Sequence, residues 1–305
     1  MKIGMVGLGR MGGNMARRLR RGGAEVVAYN RSPEVTRELA RETGLEATES
    51  LPELVARLTG PRIVWLMLPA GDATQQAIDQ LVPLLAAGDV VVDGGNAFYK
   101  DSMRRGGALA GHGIRFVDAG VSGGVWGLQE GYALMVGGEN EALRLLDPFL
   151  KVLAPAPDKG WLHCGPVGSG HFVKMVHNGI EYGMMQSLAE GLALLKGRDD
   201  FNLDLAAVAE MWRYGSVVRS WLLDLTAEFL KRDQTLGDIQ PFVQDSGEGR
   251  WTALEALEQG VPAPVMSLAL MMRFASQGAN DYPAKLLAMM RKGFGGHAVK
   301  EGDGK

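Results

Sequence analysis

Short apolar runs alternate with longer amphipathic stretches along the first half of the chain. The apolar runs, bounded by polar or glycine-rich segments, predict strands at Ile3–Val6, Val26–Tyr29, Ile63–Met67, Val90–Asp93, Arg115–Asp118 and Ala133–Val136. The stretches between them repeat apolar residues at helical spacing, as at Met11–Arg20 and Pro33–Arg41. Strands that alternate with helices predict a mostly parallel sheet with helices on both faces.

The second half of the chain has a different character. From about Gly168 onward, helical patterns such as His171–Lys196 and Leu203–Leu230 dominate, and strand-like runs almost vanish. Proline-containing segments at Pro155–Pro157 and Cys164–Pro166 mark the border. We therefore predict an α/β N-terminal domain with a doubly wound sheet over residues 1–165, followed by an all-α C-terminal domain over residues 166–305.

Composition narrows the class of protein. The 305 residues are 46% apolar and 22% charged, and a formal net charge of −3 gives no general attraction to nucleic acid or to anionic membranes. No apolar run approaches the ~18 residues that span a bilayer, and the chain opens on a strand rather than on a secretory signal. Cys164 is the single cysteine, which excludes an intrachain disulfide and is compatible with a reducing compartment. We expect a cytoplasmic protein with no nucleic-acid or membrane partner.

A glycine-rich turn follows the first predicted strand and opens the first predicted helix. Its sequence, Gly7-Leu8-Gly9-Arg10-Met11-Gly12, has the spacing of the dinucleotide fingerprint. In that fingerprint one glycine makes the tight turn, the second lets the backbone approach the pyrophosphate, and the third lets the helix pack on the strand. The alternative is a glycine turn without a ligand, but the strand–turn–helix context predicts a Rossmann-like dinucleotide site. A solvated face is expected for the arginines of this helix, Arg17, Arg18, Arg20 and Arg21.

Cofactor preference is predicted at the end of the second strand. NAD-binding folds usually carry an acidic residue there, which binds the ribose 2′-hydroxyl. This chain has Asn30-Arg31-Ser32, so no carboxylate repels a 2′-phosphate and Arg31 can pair with one. NADP is therefore favoured over NAD; the alternative for Arg31 is a solvated surface residue. Further cofactor contacts are expected from Leu68-Pro69-Ala70, which follow the next predicted strand at the carboxyl edge of the sheet.

The segment Lys174–Tyr182 is the most informative for chemistry. On a helix, one face presents an amine, an imidazole, an amide and a carboxylate, from Lys174, His177, Asn178 and Glu181. The alternative is an exposed face with a Lys–Glu arrangement.

Two glycine-rich segments could supply the other walls of a site. Asp93–Asp101 and Asp118–Gly124 each follow a predicted strand, and both are expected to be turns at the same edge as the first glycine turn. Within them, Asn96 and Ser122 suit a carboxylate or a hydroxyl ligand. Their alternative role is turn formation alone.

Together these segments resemble 6-phosphogluconate dehydrogenase. The resemblance rests on Asp93-Gly94-Gly95-Asn96 with Tyr99 and Asp101, on Gly120–Gly124, on Lys174–Tyr182, which reads KMVHNGIEY, and on Asp245–Ala253. The related 3-hydroxyisobutyrate dehydrogenase group shares the first glycine turn and a serine-glycine-glycine turn, but normally has two asparagines where this chain has His177-Asn178. The chain is shorter than the long form of the enzyme and resembles the short bacterial form, which lacks part of the helical domain.

The resemblance implies oxidative decarboxylation of 6-phosphogluconate to ribulose 5-phosphate and CO2 with NADP or NAD, a step of the pentose phosphate pathway. Lys174 would be the general base that takes the proton of the C3 hydroxyl, for which it must be neutral. Glu181 would be the acid that protonates C1 of the enediol. Asn96 would touch both cofactor and substrate. The carboxylate and hydroxyls of the sugar acid would be held by Asn96, Ser122, Gly123, Gly124, His177 and Asn178.

The resemblance also implies a phosphate site and a partner subunit. Tyr182 and Arg273 match phosphate contacts of the family, and Arg291 and His297 match a tail that enters the active site of a second subunit, so that a homodimer or a larger homo-oligomer is expected. The family's further phosphate-binding lysine has no counterpart in the contracted loop, where Arg250 is the candidate substitute. Without the resemblance, Arg273 and Arg291 would be taken as surface charges.

No metal is expected. His163, His171 and Cys164 match no zinc spacing, and the β-keto group of the implied reaction is itself the electron sink. Two other functions stay open from the residues. A β-hydroxyacid dehydrogenase of the 3-hydroxyisobutyrate type would oxidise a small acid and would need no phosphate site. A non-catalytic NADPH-binding sensor would need neither Lys174 nor Glu181.

Overall fold

A computed structural model of the chain describes residues 1–278 and 281–295. The chain divides into two compact units, the first comprising Met1–His177 and the second beginning at Asn178. Among the described residues, no helix has the length and apolar character needed to cross a lipid bilayer.

The first unit contains one eight-stranded sheet. Its strands are β1 (Lys2–Val6), β2 (Glu25–Tyr29), β3 (Glu46–Thr48), β4 (Ile63–Leu66), β5 (Val90–Asp93), β6 (Arg115–Ser122), β7 (Ala133–Gly138) and β8 (Trp161–Gly165). The spatial order is β3-β2-β1-β4-β5-β6-β7-β8, and all neighbouring pairs are parallel except β6 with β7. The first six strands thus have the doubly wound order, with its switch point between β1 and β4.

Helices cover both faces of this sheet. They are α1 (Arg10–Arg21), α2 (Pro33–Thr43), α3 (Leu51–Ala56), α4 (Asp72–Leu81), α5 (Tyr99–Ala110), α6 (Gly127–Glu130) and α7 (Asn140–Leu153). Successive strand residues point to opposite faces, so Ile3 and Met5 of β1 pack with Leu19 of α1 in one apolar core, while Val6 packs with Leu54 of α3 in a second. The predicted α/β fold with a Rossmann-like sheet is confirmed.

The main differences between the predicted and the observed strands concern β3, β8 and β6. Two strands are not among those predicted. β3 has three residues and buries only Thr48, and β8 lies at the edge of the sheet with side chains that are all partly or fully exposed. Neither contains the continuous apolar run by which the central strands are recognised. The third difference is the length of β6, which continues four residues beyond the predicted end at Asp118.

The long helix α8 (Ser169–Lys196) is followed by α9 (Leu205–Trp212), α10 (Trp221–Arg232), α11 (Glu248–Gln259), α12 (Pro264–Ser276) and α13 (Asp281–Gly295). The described residues after Gly165 contain no strand, so the helical character predicted for the second half is confirmed. The helical stretch at Leu203–Leu230 comprises two helices, α9 and α10. They are separate because Gly215 adopts a φ of +73° and Ser220 caps a new helix, accepting from the amide of Leu223 at 3.2 Å. The predicted domain limit at residue 165 coincides with the end of β8, whereas the limit between the compact units falls within α8.

Candidate active site

The glycine turn connects β1 to α1. Gly7 has a φ of +89°, in the left-handed region, and its amide donates to the Tyr29 carbonyl at 3.0 Å. A Cβ atom on Gly12 would lie 2.0 Å from the Gly7 carbonyl oxygen, so only glycine lets the helix begin this close to the turn. At Gly9, in contrast, a Cβ atom would meet nothing within 4 Å. The turn is therefore closed on its inner side and open at Gly9.

The start of α1 fits the pyrophosphate of a dinucleotide. Gly9 is the exposed N-cap residue, no side chain caps the helix, and the first turn holds no acidic residue. Arg10 beside it is exposed and Met11 is half-buried. The first N–H groups of a helix carry a partial positive charge and need acceptors from outside the helix. An anion can satisfy them here without displacing a side chain, so the residues present fit the group.

The end of β2 is fastened to the glycine turn through Asn30. Its Oδ1 atom accepts from the Leu8 amide at 3.0 Å, and its Nδ2 atom donates to the Ser32 carbonyl at 3.3 Å. Arg31 is exposed and, within the described part of the chain, forms no ion pair. The guanidinium is therefore available for a ligand at the position where sequence analysis expects a 2′-phosphate.

The loops after β4 and β5 open at the same edge of the sheet as the glycine turn, because β1, β4 and β5 are parallel. In the first loop Leu68 is half-buried, whereas Pro69 and Ala70 are exposed. In the second, Asn96 is exposed directly after the buried Gly95. The predicted cofactor residues after these two strands thus lie at the carboxyl edge, as expected.

Lys174 lies where α8 packs directly on β6. A Cβ atom on Gly120 would lie 2.3 Å from Cβ and 2.9 Å from Cγ of Lys174. A Cβ atom on Gly170 would lie 2.5 Å from the carbonyl oxygens of Asp118 and Met135. One glycine on each element thus allows the helix to approach the sheet this closely. The lysine itself is 9% exposed and sits beside the carboxyl half of β6.

A buried carboxylate anchors the start of α8. Asp118 accepts from the Gly168 amide at 2.6 Å and from the His171 amide at 2.8 Å, and burial raises the pKa of this carboxyl group. His171 is buried as well, and its Nδ1 atom lies 2.7 Å from Oγ of Ser102 in α5. The first turn of α8, and with it Lys174, is therefore held from both β6 and α5.

The predicted turn at Asp118–Gly124 is wrong in its first part. β6 continues through Ser122 and pairs antiparallel with β7, so Gly120 serves close helix packing rather than a turn. The turn begins at Gly123 and Gly124, whose φ angles of +136° and +53° favour glycine. Ser122 is half-buried at the end of the strand.

In the second unit, the face of α8 that carries Asn178 and Tyr182 packs against α11. Asn178 Nδ2 donates to Oε1 of Glu248 at 2.9 Å. The Tyr182 ring is buried, and a Cβ atom on Gly249 would lie 2.3 Å from it. Glu181 is half-buried on the same helix. Glu248 is not among the predicted site residues, although its position within the motif Asp245–Ala253 is a signal for it.

A tyrosine and an arginine stack in the same unit. The guanidinium carbon of Arg273 lies 3.4 Å from the centre of the Tyr182 ring, and its Nη1 atom donates to the Gln244 carbonyl at 2.7 Å. The Tyr182 hydroxyl oxygen lies 3.1 Å from Oγ of Ser246. The two residues predicted to bind phosphate are thus in direct contact, and Ser246 joins them.

Arg250 is placed beside a carboxylate. Its Nη2 atom lies 2.7 Å from Oδ2 of Asp245, and its guanidinium carbon lies 4.9 Å from the centre of the Phe274 ring. Both Arg250 and Arg273 therefore rest on aromatic rings, an arrangement that fixes the plane of a guanidinium and leaves its edge for an anion.

The other predicted residues are less informative. His177 is half-buried on α8, Arg291 is exposed on α13, and His297 lies outside the described residues. Within residues 1–278 and 281–295, no group of three or more His, Cys, Asp or Glu side chains is arranged to hold a metal ion.

Comparisons with known proteins cover both parts of the chain. The family profile described as the NAD binding domain of 6-phosphogluconate dehydrogenase matches residues 2–165. The profile described as the 6-phosphogluconate dehydrogenase C-terminal domain matches residues 170–282 and 201–305. The prediction of a nicotinamide dinucleotide as the cofactor is thereby confirmed.

Individual proteins agree with these profiles. The NAD(+)-dependent, decarboxylating 6-phosphogluconate dehydrogenase of Haloferax volcanii is 44% identical over 305 residues, which are 99% of this chain and 100% of that protein. The solved structure of Plasmodium falciparum 6-phosphogluconate dehydrogenase, described in its apo form and with NADP+ or 6-phosphogluconate, has a TM-score of 0.84 at 31% identity and covers 100% of this chain and 67% of that one. Mycobacterium tuberculosis 3-hydroxyisobutyrate dehydrogenase, at 23% identity, shares the fold with a TM-score of 0.72 over 92% of this chain and 94% of that one. The chain therefore belongs to the 6-phosphogluconate dehydrogenase family of dinucleotide-dependent dehydrogenases.

Proposed function

We propose that this protein is a short form of 6-phosphogluconate dehydrogenase, which oxidises and decarboxylates 6-phosphogluconate to ribulose 5-phosphate with NADP as the preferred oxidant. The observation that carries the proposal is the placement of Lys174, which is buried against Gly120 beside the carboxyl half of β6. Glu181 follows on the same helix, about two turns further along, so that an amine and a carboxyl group share one side of α8.

In the first step Lys174 acts as the general base. Its neutral amine accepts the proton of the C3 hydroxyl group while the hydrogen on C3 departs with its electron pair. The bound dinucleotide supplies the acceptor for that hydrogen and electron pair. The product is a 3-keto acid, and Lys174 now carries one additional proton.

In the second step the C3 carbonyl, which is β to the carboxylate, accepts the electron pair of the breaking C1–C2 bond, and CO2 leaves. Lys174 returns its proton to the C3 oxygen, which gives the enediol. Glu181 then donates a proton to the former C2 while Lys174 takes back the proton of the C3 hydroxyl group. The former C2 becomes C1 of ribulose 5-phosphate, and no metal is needed because the carbonyl is the electron sink.

The phosphate of the substrate would bind at Tyr182, Ser246 and Arg273. The phenol and the serine hydroxyl can donate to phosphate oxygens, and the guanidinium that stacks on the Tyr182 ring supplies the positive charge. Arg250 supplies the charge that the family's lysine would provide, after exchanging its Asp245 partner for the phosphate. A dehydrogenase of a small unphosphorylated acid would have no use for these two cations.

NADP preference is supported by Arg31. Its exposed guanidinium without an ion-pair partner among the described residues can bind a 2′-phosphate, and Asn30 leaves no carboxylate to repel one. Relatives differ in their cofactor, since the Haloferax volcanii enzyme is named NAD(+)-dependent and a Bacillus subtilis enzyme is named NADP(+)-dependent.

The test replaces Lys174 by methionine and follows reduced cofactor and CO2 together with 6-phosphogluconate as substrate. The parent protein should release one CO2 for each NADPH formed, and Lys174→Met should lower kcat by at least about 100-fold, the usual contribution of a general base. Lys196→Met, at the exposed end of the same helix, is the matched control and should keep the parent rate. NADPH without CO2 from the parent protein would favour the β-hydroxyacid dehydrogenase, and absence of turnover with intact NADPH binding would favour the sensor.

We also propose that the protein is a homo-oligomer. Val265, Leu268 and Met272 form an exposed apolar stripe along α12, at 63%, 63% and 48% exposure. Leu268→Glu should convert the oligomer to a monomer in analytical ultracentrifugation, and a parent protein that is already monomeric would end this proposal. The contribution of Arg291 and His297 to a partner's site and the cytoplasmic location stay predictions.

A further inference from the structure

Arg105 and Asp93 form a buried ion pair that none of the roles above explains. Arg105 Nη1 lies 3.1 Å from Asp93 Oδ2, and the two side chains expose 1% and 0% of their surface. Arg105 belongs to α5, and Asp93 is the last residue of β5. Taking two charges out of water carries a large desolvation penalty, and an apolar pair of similar volume is often at least as stable. Stability alone therefore does not account for the pair, whereas a need for fixed geometry does.

Each partner of the pair holds one loop at the carboxyl edge of the sheet. Asp93 Oδ1 accepts from the Gly95 amide at 3.2 Å, which fixes the turn that presents Asn96. Arg105 Nη2 donates to the Gly71 carbonyl at 3.0 Å, at the end of the loop that follows β4. One guanidinium thus links the β4 loop to the β5 loop.

The Arg105 guanidinium makes a third contact. Arg105 Nε donates to Oε1 of Gln75 in the first turns of α4, at 3.3 Å. The donors of a guanidinium point in fixed directions in one plane, so a carboxylate, a carbonyl and an amide oxygen are held at a defined spacing. A lysine in place of Arg105 would keep the charge but satisfy these acceptors from a single nitrogen atom.

The two linked loops lie on one side of the glycine turn. In the sheet, β4 and β5 are on the side of β1 away from β2. A dinucleotide bound across the switch point places its adenosine half at the end of β2, so its nicotinamide half falls at the ends of β4 and β5. We infer that Arg105 is a positioning residue that sets the spacing of these two loops for the nicotinamide half. The inference rests on the binding of a dinucleotide and on the proposed adenosine site at Arg31, but not on the identity of the sugar acid.

The test compares Arg105→Lys with the parent protein by isothermal titration of two ligands, NADP+ and its adenosine half, adenosine 2′,5′-bisphosphate. The variant should bind NADP+ about tenfold more weakly, the effect of losing one charge-assisted hydrogen bond that orders the site. The bisphosphate should bind both proteins with the same Kd, because the end of β2 makes none of the contacts of Arg105. In turnover, KM for NADP+ should rise by the same factor. Because binding is measured without sugar acid, a failure here is distinct from a wrong substrate.

A milder variant tests the inference in case Arg105→Lys does not fold. Gln75→Met removes one contact of the Arg105 guanidinium. Gln76→Met, at the exposed neighbouring position of α4, is its matched control. Gln75→Met should weaken NADP+ binding about threefold, less than one full hydrogen bond, and leave bisphosphate binding unchanged. Equal weakening of both ligands would mean a general structural role, and unchanged NADP+ binding would mean no role in the cofactor site. Either result overturns the inference.

Discussion

Gly120→Ala tests whether the position of Lys174 depends on direct contact between α8 and β6. The new Cβ atom would lie 2.3 Å from Cβ of Lys174, whereas ordinary contacts begin at 3.4 Å. The nearest backbone atom, the Gly170 carbonyl oxygen, would be 3.1 Å away. Neither Cβ atom can rotate away, because both are fixed by their backbones. The helix must therefore retreat from the strand by about 1 Å or the strand must yield, a displacement large enough to cost about 100-fold in rate.

The assay is steady-state kinetics with 6-phosphogluconate and NADP+, together with urea unfolding of the same protein. We expect kcat to fall by about 100-fold while the variant stays folded, since overpacking of this kind costs about 1–3 kcal/mol in stability. NADP+ binding should change little, because Gly7, Gly9 and Gly12 are untouched.

Gly107→Ala is the matched control for this substitution. Gly107 lies in α5, and a Cβ atom there would meet nothing within 4 Å, so the variant should keep the parent kcat and gain stability slightly. If Gly120→Ala keeps kcat within a factor of about two in the folded state, the contact does not set the position of a reacting group, and the reasoning from the 1 Å displacement is refuted.

Three further predictions follow from single side chains. Arg31→Ala should lower kcat/KM for NADP+ by about tenfold, because one charge-assisted contact to the 2′-phosphate is lost, and should leave kcat/KM for NAD+ unchanged. If the ratio of the two kcat/KM values does not change, Arg31 does not bind the 2′-phosphate. Arg18→Met should reduce the free energy of unfolding by about 2–4 kcal/mol in urea titration, whereas Arg21→Met, at an exposed position, should change it by less than about 0.5 kcal/mol. Because burial raises the pKa of Asp118, the folded state binds this proton more tightly than the unfolded state, and its contribution to stability falls as pH rises from the ordinary carboxyl range through the folded pKa. Asp118→Asn should therefore show a less negative slope of unfolding free energy between about pH 4 and 7, and equal slopes would contradict the raised pKa.

The central strands and the glycine turn could be predicted because their signals are local. β1, β4 and β5 are uninterrupted apolar runs, and the turn that follows β1 requires glycine at fixed spacing. β3 carries no such run, and so it was missed. A glycine in the sequence also has more than one structural explanation. Gly120 has the sequence context of a turn residue, but it lies inside β6, where the missing side chain lets α8 pack closely.

The side-chain contacts that hold the elements of the first unit together could not be predicted, because no local pattern links their members. Arg18 illustrates this most clearly, since sequence analysis expected it on a solvated face. Its guanidinium instead donates to five carbonyl groups more than 100 residues away, those of Leu128, Gln129, Val152, Leu153 and Ala154. The pairs Asp93–Arg105 and Ser102–His171 are similar, because no periodicity brings their members together before the sheet has formed.

The bond between Asn30 and the Leu8 amide has a consequence for redesign of cofactor choice. The acceptor that closes the turn is an oxygen atom, which aspartate would also present, so Asn30→Asp keeps this closure and gives up only the 3.3 Å contact from Nδ2 to the Ser32 carbonyl. The new carboxylate could accept a hydrogen bond from a ribose 2′-hydroxyl group and would repel a 2′-phosphate. We therefore expect Asn30→Asp to shift the preference from NADP+ toward NAD+ while the turn stays closed, because the two effects would use different atoms of one side chain.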